Sequence, residues 1–275
     1  MPAPLLLALD LDGTTLNRDR ELPESNRVAI QKVQEAGVEV VLASGRMILS
    51  IMEFAEQIGG RCHFVSSNGA YVRSADGEVV HHEPLDSGVL SSLIDYANHR
   101  EATYNLYAVD RVLSGRESEW LDLYRQRLRT ISPQIADPKT QKSTIATKLM
   151  FIGPPSTVQI YARELREILV PGTYEMVFSE PEYLEFLAPG QNKARGLSAL
   201  AGHLGFAPQN CAAIGDYLND LEMIQWAGIS GAVANAHPDV LRSAQKVYAD
   251  HDSGGVSEFI EDVFRAILSQ KAAQR

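Results

Sequence analysis

Two aspartates, Asp10 and Asp12, stand two positions apart in LALDLDGTTL, where an apolar run ends. An apolar strand has no use for either charge. The glycine and threonines that follow explain how the chain turns, not what the carboxylates do. Further along, VEVVLA leads into Ser44-Gly45-Arg46, HFV into Ser66-Ser67-Asn68, and CAAI into Gly215-Asp216, with Asn219 and Asp220 close behind. Acids gathered in one place repel, and their pKa values rise unless a cation intervenes. A hard divalent ion answers that need, and Mg²⁺ takes one or two carboxylates, waters and a substrate phosphate. Asp10 and Asp216 are the expected side-chain ligands. Asp12 is expected to offer its backbone carbonyl while its side chain points elsewhere. Lys193 falls in the first turn of a predicted helix, where the macrodipole disfavours a cation, so it asks for a nearby anion: the acid cluster or a bound phosphate.

These groups form one site only if the fold brings several strand ends together. PLLLALD reads as a strand buried on both faces. A helix over 25–36 follows, with Ser25 as N-cap and Gly37 as stop, then a strand at 38–43. MILSIMEFAEQIGG reads as a helix ending at Gly59-Gly60, and HFVSS (63–67) as a third strand closed by Asn68-Gly69. This alternation predicts an α/β fold, a doubly wound and mostly parallel sheet, in which ligands bind beyond the carboxyl ends of the strands. Near residue 84 the rhythm changes to a helix (85–100), a hairpin (103–115), a helix (117–129), a strand (144–153), a helix (156–169) and two short strands (173–179, 183–188). That is an α+β insert, placed at 84–187. The alternating pattern returns with a helix carrying Leu197, Leu200, Ala201 and Leu204 on one face and stopped by Gly205. CAAIGD, ISGAVAN and KVYAD then read as three more core strands. A core of 1–83 and 188–275 interrupted by a cap is the expected organisation.

The 275 residues are 45% apolar and 22% charged, ordinary for a chain that buries a core, and the net charge of −10 argues against nucleic acid or an anionic membrane as the main partner. Two cysteines, Cys62 and Cys211, make no disulfide framework, and a reducing cytoplasm is the expected compartment. MPAPLLLALD lacks the basic flank of a signal sequence and runs straight into Asp10. No run reaches the ~18 apolar residues of a membrane span.

Each feature alone has a plainer explanation. Asp12-Gly13 is a common turn, Ser44 an N-cap, Lys193 a solvated cation and GDYLND a polar loop. His81-His82 has no third ligand and reads as surface; RQRLR (125–129) reads as a solvated helix face; Tyr104 and Tyr107 read as cap packing. Only the ordered set, four motifs each after an apparent core strand, weighs against coincidence.

That ordered set resembles the haloacid dehalogenase superfamily, and most of all its Cof-type phosphatases, which carry a large α/β cap between the second and third motifs. The matching residues are DLDGTTL (10–16), SGR (44–46), Lys193 in QNKARGL and GDYLND (215–220). SNGA (67–70), GAVANAHPDVLRSA (231–244) and DHDSGGVSEFI (250–260) also match, so the resemblance spans nearly the whole chain. Ser44 stands where threonine is often seen, which keeps the hydroxyl. The resemblance implies a Rossmann-like core with an inserted α+β cap that closes over the site and selects the leaving group. It implies Asp10 as a nucleophile forming an aspartyl-phosphate, with Mg²⁺ and Lys193 offsetting the repulsion between two anions. Asp12 would protonate the leaving oxygen and then deprotonate the hydrolytic water. A dehalogenase would not need that second aspartate. Ser44 and the Gly45 N–H would bind phosphate oxygens, Asn219 would orient the phosphate, and Asp220 would support Lys193 or the metal shell. Arg46 would brace the site or touch the substrate.

The expected function is therefore a Mg²⁺-dependent phosphatase for a small phosphorylated metabolite, a sugar phosphate first, with pyridoxal phosphate or flavin mononucleotide as further substrates of such a family. One rival is a phosphomutase of similar architecture. The other is a non-catalytic metabolite-binding module, whose usual sign is loss of Asp10, Asp12 or Lys193; all three are present.

Overall fold

In the computed structural model, which describes residues 5–127 and 131–272, the apolar run before Asp10 becomes the first core strand, β1 (Leu6–Asp10), buried along its full length. Burying each of its leucines contributes about 2 kcal/mol, which anchors the carboxylate at its end. Helix α1 (Glu24–Glu35) starts one residue earlier than expected: Pro23 holds the N-cap position and Ser25 lies inside the first turn. Proline's fixed φ suits a helix entrance, and Glu24 in the first turn complements the dipole. β2 (Glu39–Ala43), α2 (Ile48–Ile58) and β3 (Cys62–Ser66) follow, with Gly59 ending α2 in the left-handed conformation. Two short strands, β4 (Tyr71–Arg73) and β5 (Val79–His82), were not legible in the pattern. β4 folds back antiparallel on β3, and His81-His82 is half-buried on β5.

The insert begins with α3 (Ser87–His99), capped by Asp86, whose side chain accepts from the N–H groups of Gly88 and Val89. Then come β6 (Thr103–Tyr107), β7 (Val112–Ser114), α4 (Glu119–Arg127), β8 (Gln134–Ile135), α5 (Pro138–Lys142), β9 (Lys148–Ile152), α6 (Pro155–Ile168), β10 (Glu175–Glu180) and β11 (Tyr183–Leu187). The expected strand at 144–153 shortens to β9 because Asp137-Pro138 starts a helical turn, and Thr144 still bonds back to Thr140 and Gln141. Residues 128–129, the end of the expected helix at 117–129 and of RQRLR, lie outside the described residues, as do residues 1–4. The strands form one sheet in the order β10-β11-β9-β6-β7-β8, antiparallel except for β7–β8. One face packs Leu106, Leu149, Phe151 and Phe186 against α3 and α6, and Tyr104 belongs to this core. Tyr107 bonds the Tyr124 hydroxyl instead.

The chain then supplies α7 (Lys193–His203), β12 (Cys211–Gly215), α8 (Leu221–Trp226), β13 (Ile229–Val233), α9 (Pro238–Ser243), β14 (Lys246–Tyr248), α10 (Gly255–Val263) and α11 (Arg265–Ala272). The larger sheet runs β14-β13-β12-β1-β2-β3-β4-β5, parallel from β14 to β3. Leu197, Leu200 and Ala201 of α7 pack on Leu6, Ala8, Val41, Val65 and Ala213, while Leu204 is only half-buried. Two compact units result: residues up to His81 with those from Asn192, and His82–Gln191, against the expected insert of 84–187. No helix among the described residues is long and apolar enough to cross a membrane.

The sheet order explains the site. β1 lies between β2 and β12, so successive strands leave it in opposite directions. This is the topological switch point, where the loops after neighbouring parallel strands diverge and open a crevice. Asp10 ends the strand at that point.

Candidate active site

Asp10 is 4% exposed, and Lys193 and Asp220 are fully buried beside it. Lys193 Nζ donates to Asp10 Oδ1 at 2.6 Å and to Asp220 Oδ1 at 2.5 Å. The lysine is thus neither solvated nor misplaced at the start of α7: two carboxylates hold it there. Asp220 Oδ2 accepts from the backbone N–H groups of Asp216 (3.0 Å) and Tyr217 (3.1 Å). Both Asp220 oxygens are therefore engaged, and the residue ties the lysine to the loop after β12.

Asp216 is held from the other side. Thr14 Oγ1 donates to its Oδ1 at 2.8 Å, and its carbonyl accepts from His237 N at 2.7 Å. Thr15 Oγ1 donates to the Asp10 carbonyl at 2.5 Å. The threonines after Asp12 therefore brace the two acids, a role hidden behind the turn reading of Gly13-Thr14-Thr15. Gly13 has φ +77°, and a Cβ there would stand 2.5 Å from Asp216 Oδ2. Only glycine allows both that backbone and the approach.

Asp10, Asp216 and Asp220 each place one carboxylate oxygen within 4.8 Å of the others'. Three carboxylates face one ammonium, and the electrostatics record the excess. Burial, then Asp220, raises the Asp10 carboxyl well above its ordinary range, against the pull of Lys193. Burial and Asp220 push Asp216 up to about 6. Burial works against the charge on Lys193, yet Asp10 and Asp220 raise its pKa above the ordinary value. Asp10 Oδ2 is buried and receives no hydrogen bond. A bare buried carboxylate oxygen beside a second carboxylate, all hard oxygen donors, fits a divalent cation of the Mg²⁺ kind. Asp10 and Asp216 would hold it, whereas Asp220 is already committed.

Asp12 turns its side chain away from this cluster. Its side chain is 46% exposed and takes a two-pronged ion pair, Arg46 Nε to Oδ2 at 2.7 Å and Arg46 Nη2 to Oδ1 at 2.5 Å. The guanidinium also lies 5.2 Å from the centre of the Phe54 ring. Ser44 is buried and does not cap α2, whose N-cap is Met47. Its Oγ accepts from Arg46 N at 3.1 Å, which holds the Ser44-Gly45-Arg46 loop. Asn219 Nδ2 donates to Asn68 Oδ1 at 3.1 Å. In the sequence Asn68 stands among the polar residues at the strand ends and in SNGA, with no role of its own assigned. The structure thus joins Asp10, Lys193, Asp216 and Asp220 in one cluster. It pairs Asp12 with Arg46, and Asn219 with Asn68.

If Asp12 protonates the leaving oxygen of a phosphate ester, as the resemblance implies, and Arg46 aims it, the loss of Arg46 will depend on the leaving group. We expect Arg46→Met to lower kcat/KM for an alkyl phosphate, whose leaving oxygen needs a proton, about 10- to 100-fold. The value for p-nitrophenyl phosphate, which needs none, falls less than about 3-fold. An equal fall on both would place Arg46 on the phosphate instead.

Comparison with known proteins shows the family. Residues 7–260 match the model of the haloacid dehalogenase-like hydrolases. Phosphatase YwpJ of Bacillus subtilis (strain 168) is 26% identical over 281 residues, covering 93% of this chain and 98% of its own. The HMP-PP phosphatase of Enterobacter sp. (strain 638) is 27% identical over 236 residues, 86% of each chain. A haloacid dehalogenase-like hydrolase from Bacteroides thetaiotaomicron superposes with a TM-score of 0.87 at 28% identity, over 94% of this chain and 99% of the other. With an inserted cap, a mostly parallel core sheet, three of the four motifs at its strand ends and the fourth, Lys193, opening α7 rather than following a core strand, the chain belongs to the haloacid dehalogenase-like hydrolases, of the Cof type.

Proposed function

We propose that this hydrolase is a Mg²⁺-dependent phosphatase acting on a small phosphorylated metabolite, with a sugar phosphate as the substrate class, through an aspartyl-phosphate. The observation that carries the reading is Asp10: a buried carboxylate at the switch point with one oxygen on Lys193 and the other bare. Relatives named as a phosphatase and an HMP-PP phosphatase support the reaction and the size of the substrate.

In this reading Asp10 attacks phosphorus, a bond forms from its carboxylate oxygen, and the ester P–O bond breaks. Asp12 gives its proton to the departing oxygen. It then takes a proton from the water that attacks the same phosphorus, which frees inorganic phosphate and restores Asp10. Lys193 favours the ionised form of Asp10, against burial and Asp220, and offsets part of the repulsion between two anions. Ser44, the Gly45 N–H and Asn219 hold the phosphoryl oxygens. When bound, Mg²⁺ supplies positive charge at the phosphoryl oxygens, with Asp10 and Asp216 as side-chain ligands and the Asp12 carbonyl as a third.

The test is a panel of phosphorylated metabolites, assayed for phosphate release in Mg²⁺ and in EDTA, with Asp10→Asn as control. Phosphate appears in Mg²⁺ without any bisphosphate activator, which separates hydrolysis from mutase chemistry. EDTA stops it and added Mg²⁺ restores it. Mg²⁺ also raises the melting temperature, because a cation present at about 100 times its Kd stabilises by about 2.7 kcal/mol. Full activity in EDTA with no thermal shift overturns the metal assignment.

A further inference from the structure

We propose that Asn68 is a substrate-contacting residue, whose side-chain Nδ2 donates to an oxygen of the bound phosphoryl group beside the Gly45 N–H and Asn219. The inference rests on the phosphatase reading and deepens it.

Ser67 and Asn68 both have left-handed backbone, φ +49° and +53°. Among the described residues they are the only two consecutive non-glycine residues in that region. Such backbone is unfavourable for L-residues and persists where the surroundings impose it, often at functional sites. Here Ser67 N donates to the Arg46 carbonyl at 2.8 Å and Asn68 N to the Ser44 carbonyl at 3.1 Å. The turn after β3 is thereby fastened to the loop after β2, and it lays the Asn68 carboxamide against Gly45. A Cβ at Gly45 would meet Asn68 Oδ1 at 3.1 Å and Nδ2 at 3.4 Å. Glycine at 45 leaves room for the amide.

The amide is half used. Oδ1 accepts from Asn219 Nδ2 at 3.1 Å. Nδ2 donates to no protein acceptor among the described residues, and Asn68 is only half-buried, so the donor is open to a ligand. If the side chain served only to orient Asn219, an aspartate would accept that bond more strongly. Asparagine adds a donor and no charge, which is what an anion beside Gly45 requires.

That contrast sets the experiment, with orthovanadate as the probe, its affinity measured by calorimetry in Mg²⁺ alongside steady-state turnover. Asn68→Gly keeps the left-handed backbone at no steric cost and removes the donor. We expect about tenfold weaker vanadate binding and a higher KM, at a melting temperature close to wild type. Asn68→Asp keeps the acceptor for Asn219 but presents a negative charge, and we expect it to bind vanadate more weakly still. Vanadate affinity within about twofold of wild type in either variant overturns the assignment; for Asn68→Asp it reduces Asn68 to a brace for Asn219. Wild-type protein that neither binds vanadate nor hydrolyses any phosphomonoester removes the phosphatase reading and this proposal with it. Wild-type turnover with indifferent variants removes the proposal alone.

Discussion

Asp10→Asn gives a folded protein whose turnover falls on the order of 10⁶-fold, the loss seen when a hydrolase nucleophile is removed. The amide keeps the shape of the side chain and an acceptor for Lys193, but it cannot attack phosphorus. Folding should survive for an electrostatic reason. Burial and Asp220 raise the Asp10 pKa in the native state. A carboxylate with a raised folded pKa binds more protons folded than unfolded, so its contribution to stability falls as pH rises past about 4. At neutral pH this upward shift makes Asp10 oppose folding of the metal-free protein, and an amide removes that opposition. The expected melting temperature in metal-free buffer is therefore equal to or above that of wild type, while the Mg²⁺-induced rise shrinks. A second readout reports the covalent step directly. Borohydride reduces an acyl phosphate to an alcohol, so wild type quenched during turnover should carry homoserine at position 10 by peptide mass. Phosphate release near the wild-type rate from Asp10→Asn, or an unmodified position 10 after reduction, would refute the nucleophile assignment.

How far the sequence discloses this arrangement depends on whether a residue's role is local. β1, β2, β3 and β12 were readable because a strand buried on both faces needs an unbroken apolar run, and α7 because its apolar face repeats at helical spacing. The acids at the strand ends were readable because nothing in a core strand explains them. β4 and β5 were not, since three or four residues of mixed polarity at a sheet edge carry no period. The same holds for α8 and α9, six residues each. The finer wiring of the site is beyond sequence for a different reason: it depends on atoms far apart in the chain. Thr14 meets Asp216 across 202 residues, and Asn219 meets Asn68 across 151. Arg46 shows the limit most clearly. Its place after Ser44-Gly45 allowed both a brace and a substrate contact, and its two bonds to Asp12, invisible in the sequence, are what a brace makes.

Lys193→Met should damage stability and chemistry together, and the two losses can be separated. Methionine fills most of the space of the lysine stem but removes the ammonium shared by Asp10 and Asp220. Two buried carboxylates are then left facing Asp216 with no counter-ion. Stranding buried charge in this way costs about 3–5 kcal/mol, which corresponds to a fall of about 10 °C in melting temperature for a chain of this size. The loss has a direction with pH. Without the lysine the Asp10 carboxyl rises further above its unfolded value, so the folded state binds the extra proton and the deficit grows as pH increases from about 5 to 8. The gap between variant and wild-type melting temperatures should widen over that interval. Turnover falls on the order of 10³-fold, as expected for removing a charge aimed at the transferring phosphoryl group. The double variant Lys193→Met with Asp220→Asn removes one stranded carboxylate along with the ammonium and should recover much of the stability but none of the turnover. Recovery of both would make Lys193 a structural counter-ion only. A single variant that melts like wild type at pH 8 would mean that the lysine does not hold these carboxylates together in solution.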